Sequence, residues 1–363
     1  ITGRATGMNP RGIAIALFFV LLSTFVALCL GSLGIIRFPA STAPKSFKSI
    51  DPPVYNPNEK FDFTVVSQSS FERVYFLPFW LERWPGPLSI AFFLYGEGAN
   101  VYESVMKTLV VPSRLNIIAH FSESAEPYPI NMLRNIALDG VRTSHFWLAD
   151  MDMWPALDLY QTLVSLPREF LQRDDTATIV PAFEFNLPQN TECKTFTSCI
   201  NNIKDKIPSK KADVLRCVEE GRCNRFRVKS RTHSYHFDEW NTLPESTYVT
   251  PLPCMENDIQ EPYIFVKKTA RLPHFDERFV NYGKNKVQWI IHLRLLGYKY
   301  YVLSQSFAID VPHPKSKIAN DWFAEGSSTK WRTKMHVLVD AFQEDIERST
   351  IGVNIQTPLC YRM

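Results

Sequence analysis

The sequence predicts an α/β fold, a doubly wound and mostly parallel mixed sheet, preceded by an N-terminal transmembrane helix. Three observations carry this. Short apolar runs alternate with amphipathic stretches over residues 61–152, an uncharged apolar run fills residues 13–36, and a Pro-rich segment separates the two.

The run at 13–36 is interrupted only by Ser23, Thr24 and Ser32 among polar side chains. At about 1.5 Å rise per residue it reaches roughly 36 Å as a helix, more than the ~30 Å hydrocarbon core, so it can span a bilayer with some tilt. A cleaved signal peptide is the rival, but its apolar region is normally about 7–15 residues. The reading is therefore a cytosolic tail at 1–12, a signal anchor at 13–36 and a stem at 37–58. The stem carries Pro39, Pro44, Pro52, Pro53 and Pro57, a composition that cannot bury a face.

From residue 59 to 363 the chain reads as one large domain. Residues 61–66 alternate and are β-rich, while 88–95 (LSIAFFLY) and 115–120 (LNIIAH) are nearly continuous apolar runs, the pattern of buried parallel strands. Helical spacing marks 71–84, 102–111 and 128–140 between and after them. Strand followed by helix in this order implies right-handed crossovers. The 363 residues are 45% hydrophobic, which excludes a disordered chain. Lys and Arg total 40 against 37 for Asp and Glu, and a net +3 over this length gives no field that suggests nucleic acid as a partner.

Cys29 lies in the apolar run, leaving Cys193, Cys199, Cys217, Cys223, Cys254 and Cys360. Six cysteines in a lumenal body read as two or three disulfides, with the connectivity open. Zinc is the alternative, although the spacing within the first two pairs exceeds that of common zinc knuckles. Four of these cysteines fall in a Cys-rich basic insertion at about 190–232, which reads either as a solvated, braced surface or as a surface for an anionic acceptor.

The chemistry concentrates at residues 144–152 (SHFWLADMD), where an apolar strand ends in two carboxylates. Ligands gather outside the carboxyl ends of strands in open α/β sheets. Asp150 and Asp152 can converge there on one hard cation such as Mn²⁺ or Mg²⁺. A nucleotide-sugar diphosphate needs such an ion, because its leaving group gains negative charge as the glycosidic bond breaks.

Three ordered blocks carry a family resemblance: 63–87 (FTVVSQSSFERVYFLPFWLERWPGP), 128–152 (YPINMLRNIALDGVRTSHFWLADMD) and 261–287 (EPYIFVKKTARLPHFDERFVNYGKNKV). Together they resemble the family 49 glycosyltransferases. The resemblance implies a GT-A fold, a UDP-sugar donor, Mn²⁺ or Mg²⁺, inversion at the anomeric carbon, a glycan or glycoprotein acceptor, and type II topology in the Golgi membrane. It matches Asp150 and Asp152 to the family's metal-binding pair. It places Asn131, Arg134 and Asn135 in a helix leading toward the donor, where a guanidinium could grip a phosphate or a sugar carboxylate. Gln68 and Ser69 fall where a GT-A fold meets the nucleotide; they read equally as turn residues.

Asp276 and Glu277 match the family's acidic position and are the candidates for the general base, with helix capping or pairing to Arg278 as their bland roles. The family's late metal-binding histidine is replaced here by Asp310, with His313 three residues on. Either can complete a metal site. The function implied is metal-dependent, inverting transfer of glucuronic acid or N-acetylglucosamine from a UDP-sugar. The alternative is a catalytically inactive relative that binds glycan, motivated by Asp310 and by Lys284, which stands where the family stretch carries an aromatic.

Overall fold

Among the described residues, twelve strands fall into two sheets. β1 (Phe63–Ser70), β2 (Leu88–Tyr95), β3 (Leu115–Ser122), β4 (His145–Leu148), β6 (Thr176–Ile179), β9 (Val249–Pro251), β10 (Ile264–Lys267) and β11 (Lys299–Leu303) form the larger, while β5 (Met153–Pro155), β7 (Ala182–Phe185), β8 (Cys223–Arg225) and β12 (Ala308–Asp310) form the smaller. This computed structural model describes residues 60–362, apart from 109, 126, 188–190, 192, 236, 316–319 and 321–326. The tail, anchor and stem expected at 1–58 lie outside the described residues. Among those described, no helix is long and apolar enough to cross a membrane.

The large sheet runs β3-β2-β1-β4-β10-β6-β11-β9. From β3 to β4 all neighbours are parallel, as the apolar run of β2 predicts; β3, expected as a buried strand, buries only Leu115, because it lies at the edge of the sheet. β2 occupies the expected residues 88–95, buried at every position except Tyr95. Beyond β4 the pattern changes. β10 runs antiparallel to both β4 and β6, β6 is parallel to β11, and β11 is antiparallel to β9. The sheet is therefore mixed, with its parallel strands gathered mainly in one half.

The smaller sheet, in the order β5-β12-β7-β8, was not anticipated. Its strands are three or four residues long, too short for periodicity to reveal. β12 is its pivot, antiparallel to β5 and parallel to β7, which sets Asp310 opposite both Met153 and Glu184.

The helix Ile130–Asp139 packs on β1 and β2 and buries Leu133, Ala137 and Leu138, as its amphipathic spacing predicts, but also Asn131, Arg134 and Asn135. The expected helix at 71–84 is a 3₁₀ turn, Phe71–Phe76, followed by the α-helix Leu77–Arg83, with Pro78 in its first turn. Trp80 and Trp84 each pack tilted against Trp147 of β4.

All six expected cysteines are paired, which corrects the zinc alternative. Cys193–Cys199 and Cys217–Cys223 brace the insertion, whereas Cys254–Cys360 joins positions 106 residues apart. Beside that last bond, Met255 bridges to Leu359, and the buried Thr357 hydroxyl accepts a hydrogen bond from Tyr300 N at 2.9 Å. The chain's last turn is thereby fastened to β11.

Candidate active site

Where strand order reverses between β1 and β4, their carboxyl ends open a crevice, the place an α/β sheet offers a ligand. A cavity of about 530 Å³ lies there, and its walls include Gln68, Ser69, Arg134, Asp150, Asp152, Asp310 and His313. Seven of the sequence-predicted site residues thus share one space. Asn131, Asn135, Asp276 and Glu277 stand outside its lining.

Strand β4 ends at Leu148, so the two aspartates are not strand residues as the sequence suggested. They sit in a turn closed by Met153 N donating to Asp150 O at 2.9 Å. Trp80 Nε1 pins the turn by donating to Met151 O at 2.8 Å. Leaving the strand alternation lets the two carboxylates face different partners.

Asp152 lies with Asp310 and His313, the ligand atoms of the three falling within 4.8 Å of one another. Val311 N donates to Asp152 O at 2.9 Å, drawing the end of β12 against the turn. His313 Nδ1 is 2.8 Å from Val311 O. A carbonyl only accepts, so Nδ1 carries the proton and Nε2 faces Asp152, 3.3 Å away, with its lone pair. Burial lowers the pKa of His313, against the opposing pull of Asp152, and so favours this neutral form. Burial, then the neighbouring Asp152 carboxylate, pushes Asp310 well above the usual carboxylate range. A cation among the three would relieve that repulsion, and two carboxylate oxygens with one imidazole suit Mn²⁺. The structure therefore fits both Asp310 and His313 beside Asp152, where the sequence left a choice between them.

Asp150 is outside this trio. Its Oδ2 accepts from Lys286 Nζ at 2.9 Å and Tyr263 Oη at 3.0 Å, and its Oδ1 from Arg134 Nη2 at 3.4 Å. Burial would raise its pKa, but Lys286 and then Arg134 outweigh that and hold the carboxyl well below its usual range. Arg73, which sequence reasoning did not single out, donates to Asp152 Oδ2 at 2.5 Å and approaches His313 Nε2 at 3.2 Å. It had no signal beyond its place in the first family-like block.

Arg134 is a buried hub. Besides Asp150 it donates to Asn131 Oδ1 and Asn285 Oδ1, both at 2.9 Å. Asn131 donates to Asp276 O at 2.9 Å and Asn285 O at 3.1 Å, and Asn135 to Phe275 O and Glu277 Oε1, both at 2.9 Å. These two asparagines therefore hold the 275–285 segment against their helix.

The acidic pair is consumed in the same framework. Asp276 is bound by Arg278, whose Nε lies 2.9 Å from both its oxygens, and Glu277 accepts from Asn135. The helix expected directly after them is a turn; the next helix is Val287–Leu295. Ser69, by contrast, is buried with its hydroxyl unpartnered, while Gln68 Oε1 accepts from Tyr128 Oη.

A mixed sheet carrying a cation-suited trio, a buried arginine and an ammonium in one strand-end cavity defines an α/β protein equipped to hold a metal-bound anion. The chain belongs to the Glyco_transf_49 family, described as glycosyl-transferase for dystroglycan, which its residues 111–317 match. This bears out the resemblance read from the three sequence blocks. Mouse (Mus musculus) xylosyl- and glucuronyltransferase LARGE2 is 31% identical over 296 residues, covering 80% of this chain and 40% of that protein. Human (Homo sapiens) LARGE1 is 29% identical over 293 residues, 79% of this chain and 35% of that one. The chain thus spans 40% or less of the length of these two relatives. Among solved structures, S. aureus TarS 1–349 in complex with UDP-GlcNAc overlaps 80% of this chain and 70% of its own, at 11% identity and a TM-score of 0.44. A likeness that loose carries no functional weight.

Proposed function

We propose that this chain is an inverting glycosyltransferase of the GT-A type that moves a sugar, glucuronic acid before N-acetylglucosamine, from a UDP donor to a glycan acceptor. The observation that carries the proposal is the trio Asp152, Asp310 and His313 at the wall of the strand-end cavity. Family membership and the names of the relatives support the reaction class.

In this reading Asp152, Asp310 and His313 hold Mn²⁺ or Mg²⁺, which would offset the charge gathering on the leaving diphosphate. Asp150 fixes Lys286 and Arg134 as two inward donors, a pair suited to a phosphate or a sugar carboxylate. That Asp310 and His313 both join Asp152 supports a complete ligand set and weighs against an inactive relative. The three disulfides support a lumenal domain, in line with a Golgi signal anchor at 13–36.

The test is to incubate the full chain with Mn²⁺ and UDP-glucuronic acid, UDP-N-acetylglucosamine or UDP-xylose and to measure UDP release and Mn²⁺ binding by electron paramagnetic resonance. Asp152→Asn should abolish both. Failure of the wild type to bind any UDP-sugar would overturn the proposal.

A further inference from the structure

With Asp276 and Glu277 tied into the framework outside the cavity, an inverting transfer needs another group to take the acceptor's proton. Five carboxylates line the cavity: Asp150, Asp152, Glu184, Glu261 and Asp310. Asp150 is held by Lys286, Tyr263 and Arg134, and Asp152 by Arg73. Asp310 belongs to the trio, and Glu261 lies 4.0 Å from the Arg227 guanidinium. A carboxylate committed to a cation is a poor acceptor of a further proton.

Glu184 is the exception. Its Oε2 accepts only a backbone N–H, from Arg227 at 3.3 Å, and among the described residues no cationic side chain pairs with it. It stands on β7 opposite Asp310 of β12 in parallel register, so the two side chains leave the same face of the sheet. Glu184 is partly exposed, open both to an incoming hydroxyl and to the solvent that must remove the proton. His233 is the other candidate in the cavity wall. Its Nε2 has no partner but is buried from contact with a ligand, and burial, then Lys286 and Arg227, holds its pKa well below the ordinary histidine value.

We propose that Glu184 is the general base of the transfer, an assignment that rests on the glycosyltransferase reading above. The acceptor oxygen attacks the anomeric carbon from the face opposite the diphosphate, and its proton passes to the Glu184 carboxylate. The new C–O bond forms as the bond from the anomeric carbon to the diphosphate oxygen breaks, and its electron pair leaves on UDP. Glu184 then returns the proton to water.

The experiment compares full-length wild type, Glu184→Gln and Glu184→Asp with UDP-glucuronic acid, Mn²⁺ and a panel of p-nitrophenyl β-glycosides. Transfer is measured by product formation and UDP affinity by calorimetry. Glu184→Gln should lower kcat by at least ~100-fold while the UDP Kd stays within about threefold, and Glu184→Asp should recover part of the rate. A Glu184→Gln variant as active as an active wild type overturns this assignment alone. So does a loss of UDP affinity that matches the loss of rate. A wild type that binds no UDP-sugar overturns the reading and the assignment together.

Discussion

Lys286 Nζ lies 2.9 Å from Asp150 Oδ2 and 4.0 Å from the centroid of the Tyr263 ring, so one ammonium ties the aspartate turn to the 281–287 segment. Truncating one partner of such a pair leaves the other charge in a poor medium. Lys286→Met should lower stability by about 2 kcal/mol, less than for an isolated pair because Arg134 and Tyr263 remain. Adding Asp150→Asn should cost less than the sum of the two changes, a coupling that chemical denaturation of the double-mutant cycle measures directly.

The ligand trio makes a separate claim about metal. At a hundredfold excess over its Kd, Mn²⁺ should stabilise the fold by about 2.7 kcal/mol, read as a rise in melting temperature. Asp152→Asn, Asp310→Asn and His313→Ala should each suppress that rise, whereas Asp150→Asn should leave most of it. Equal suppression by Asp150→Asn would place that carboxylate in the ligand set.

Acid should weaken the fold through His145. Burial, then nearby Lys267, lowers its pKa to about 3, below the ordinary value near 6.5. Between those values the unfolded chain binds a proton that the folded one refuses, so this contribution is present above pH 6.5 and is lost as pH falls toward 3. The loss amounts to roughly 3 kcal/mol by pH 4. His145→Phe, which keeps a ring against Phe63, should show a shallower acid limb in thermal unfolding across pH 7 to 4.

The disulfides should differ in weight. Closing a loop of about 100 residues is worth up to ~4.7 kcal/mol in the chain-entropy account, and Cys254–Cys360 closes one of 106. Cys193–Cys199 spans only 6. Cys254→Ser with Cys360→Ser should therefore lower the denaturation midpoint well beyond the effect of Cys193→Ser with Cys199→Ser.

Strands with long apolar runs were legible because burial on both faces leaves a plain signature; β2 is the case in point. So was the aspartate pair as a place, although not its geometry. The sequence cannot report that the strand stops at Leu148, nor that Lys286 claims Asp150 from 136 positions away. Asp276 and Glu277 look catalytic in sequence and are spent on Arg278 and Asn135, a fate fixed by tertiary packing. Glu184 carried a signal that went unused: it follows Val180, Pro181, Ala182 and Phe183, an apolar run reaching an acid much as 146–150 does. The short strands that bring it beside Asp310 gave no periodicity to read.

The bond between Cys254 and Cys360 also sets an order on assembly. A chain leaves the ribosome from its N-terminus, so the Cys254 thiol must wait for 106 further residues before its partner arrives, and β11 waits equally for Thr357. Until then, the nascent domain displays a reactive sulfur and an unfinished fastening. A message cut short between Tyr300 and Cys360 would yield a product that keeps the Cys254 thiol unpaired, a chemical mark of an unfinished chain.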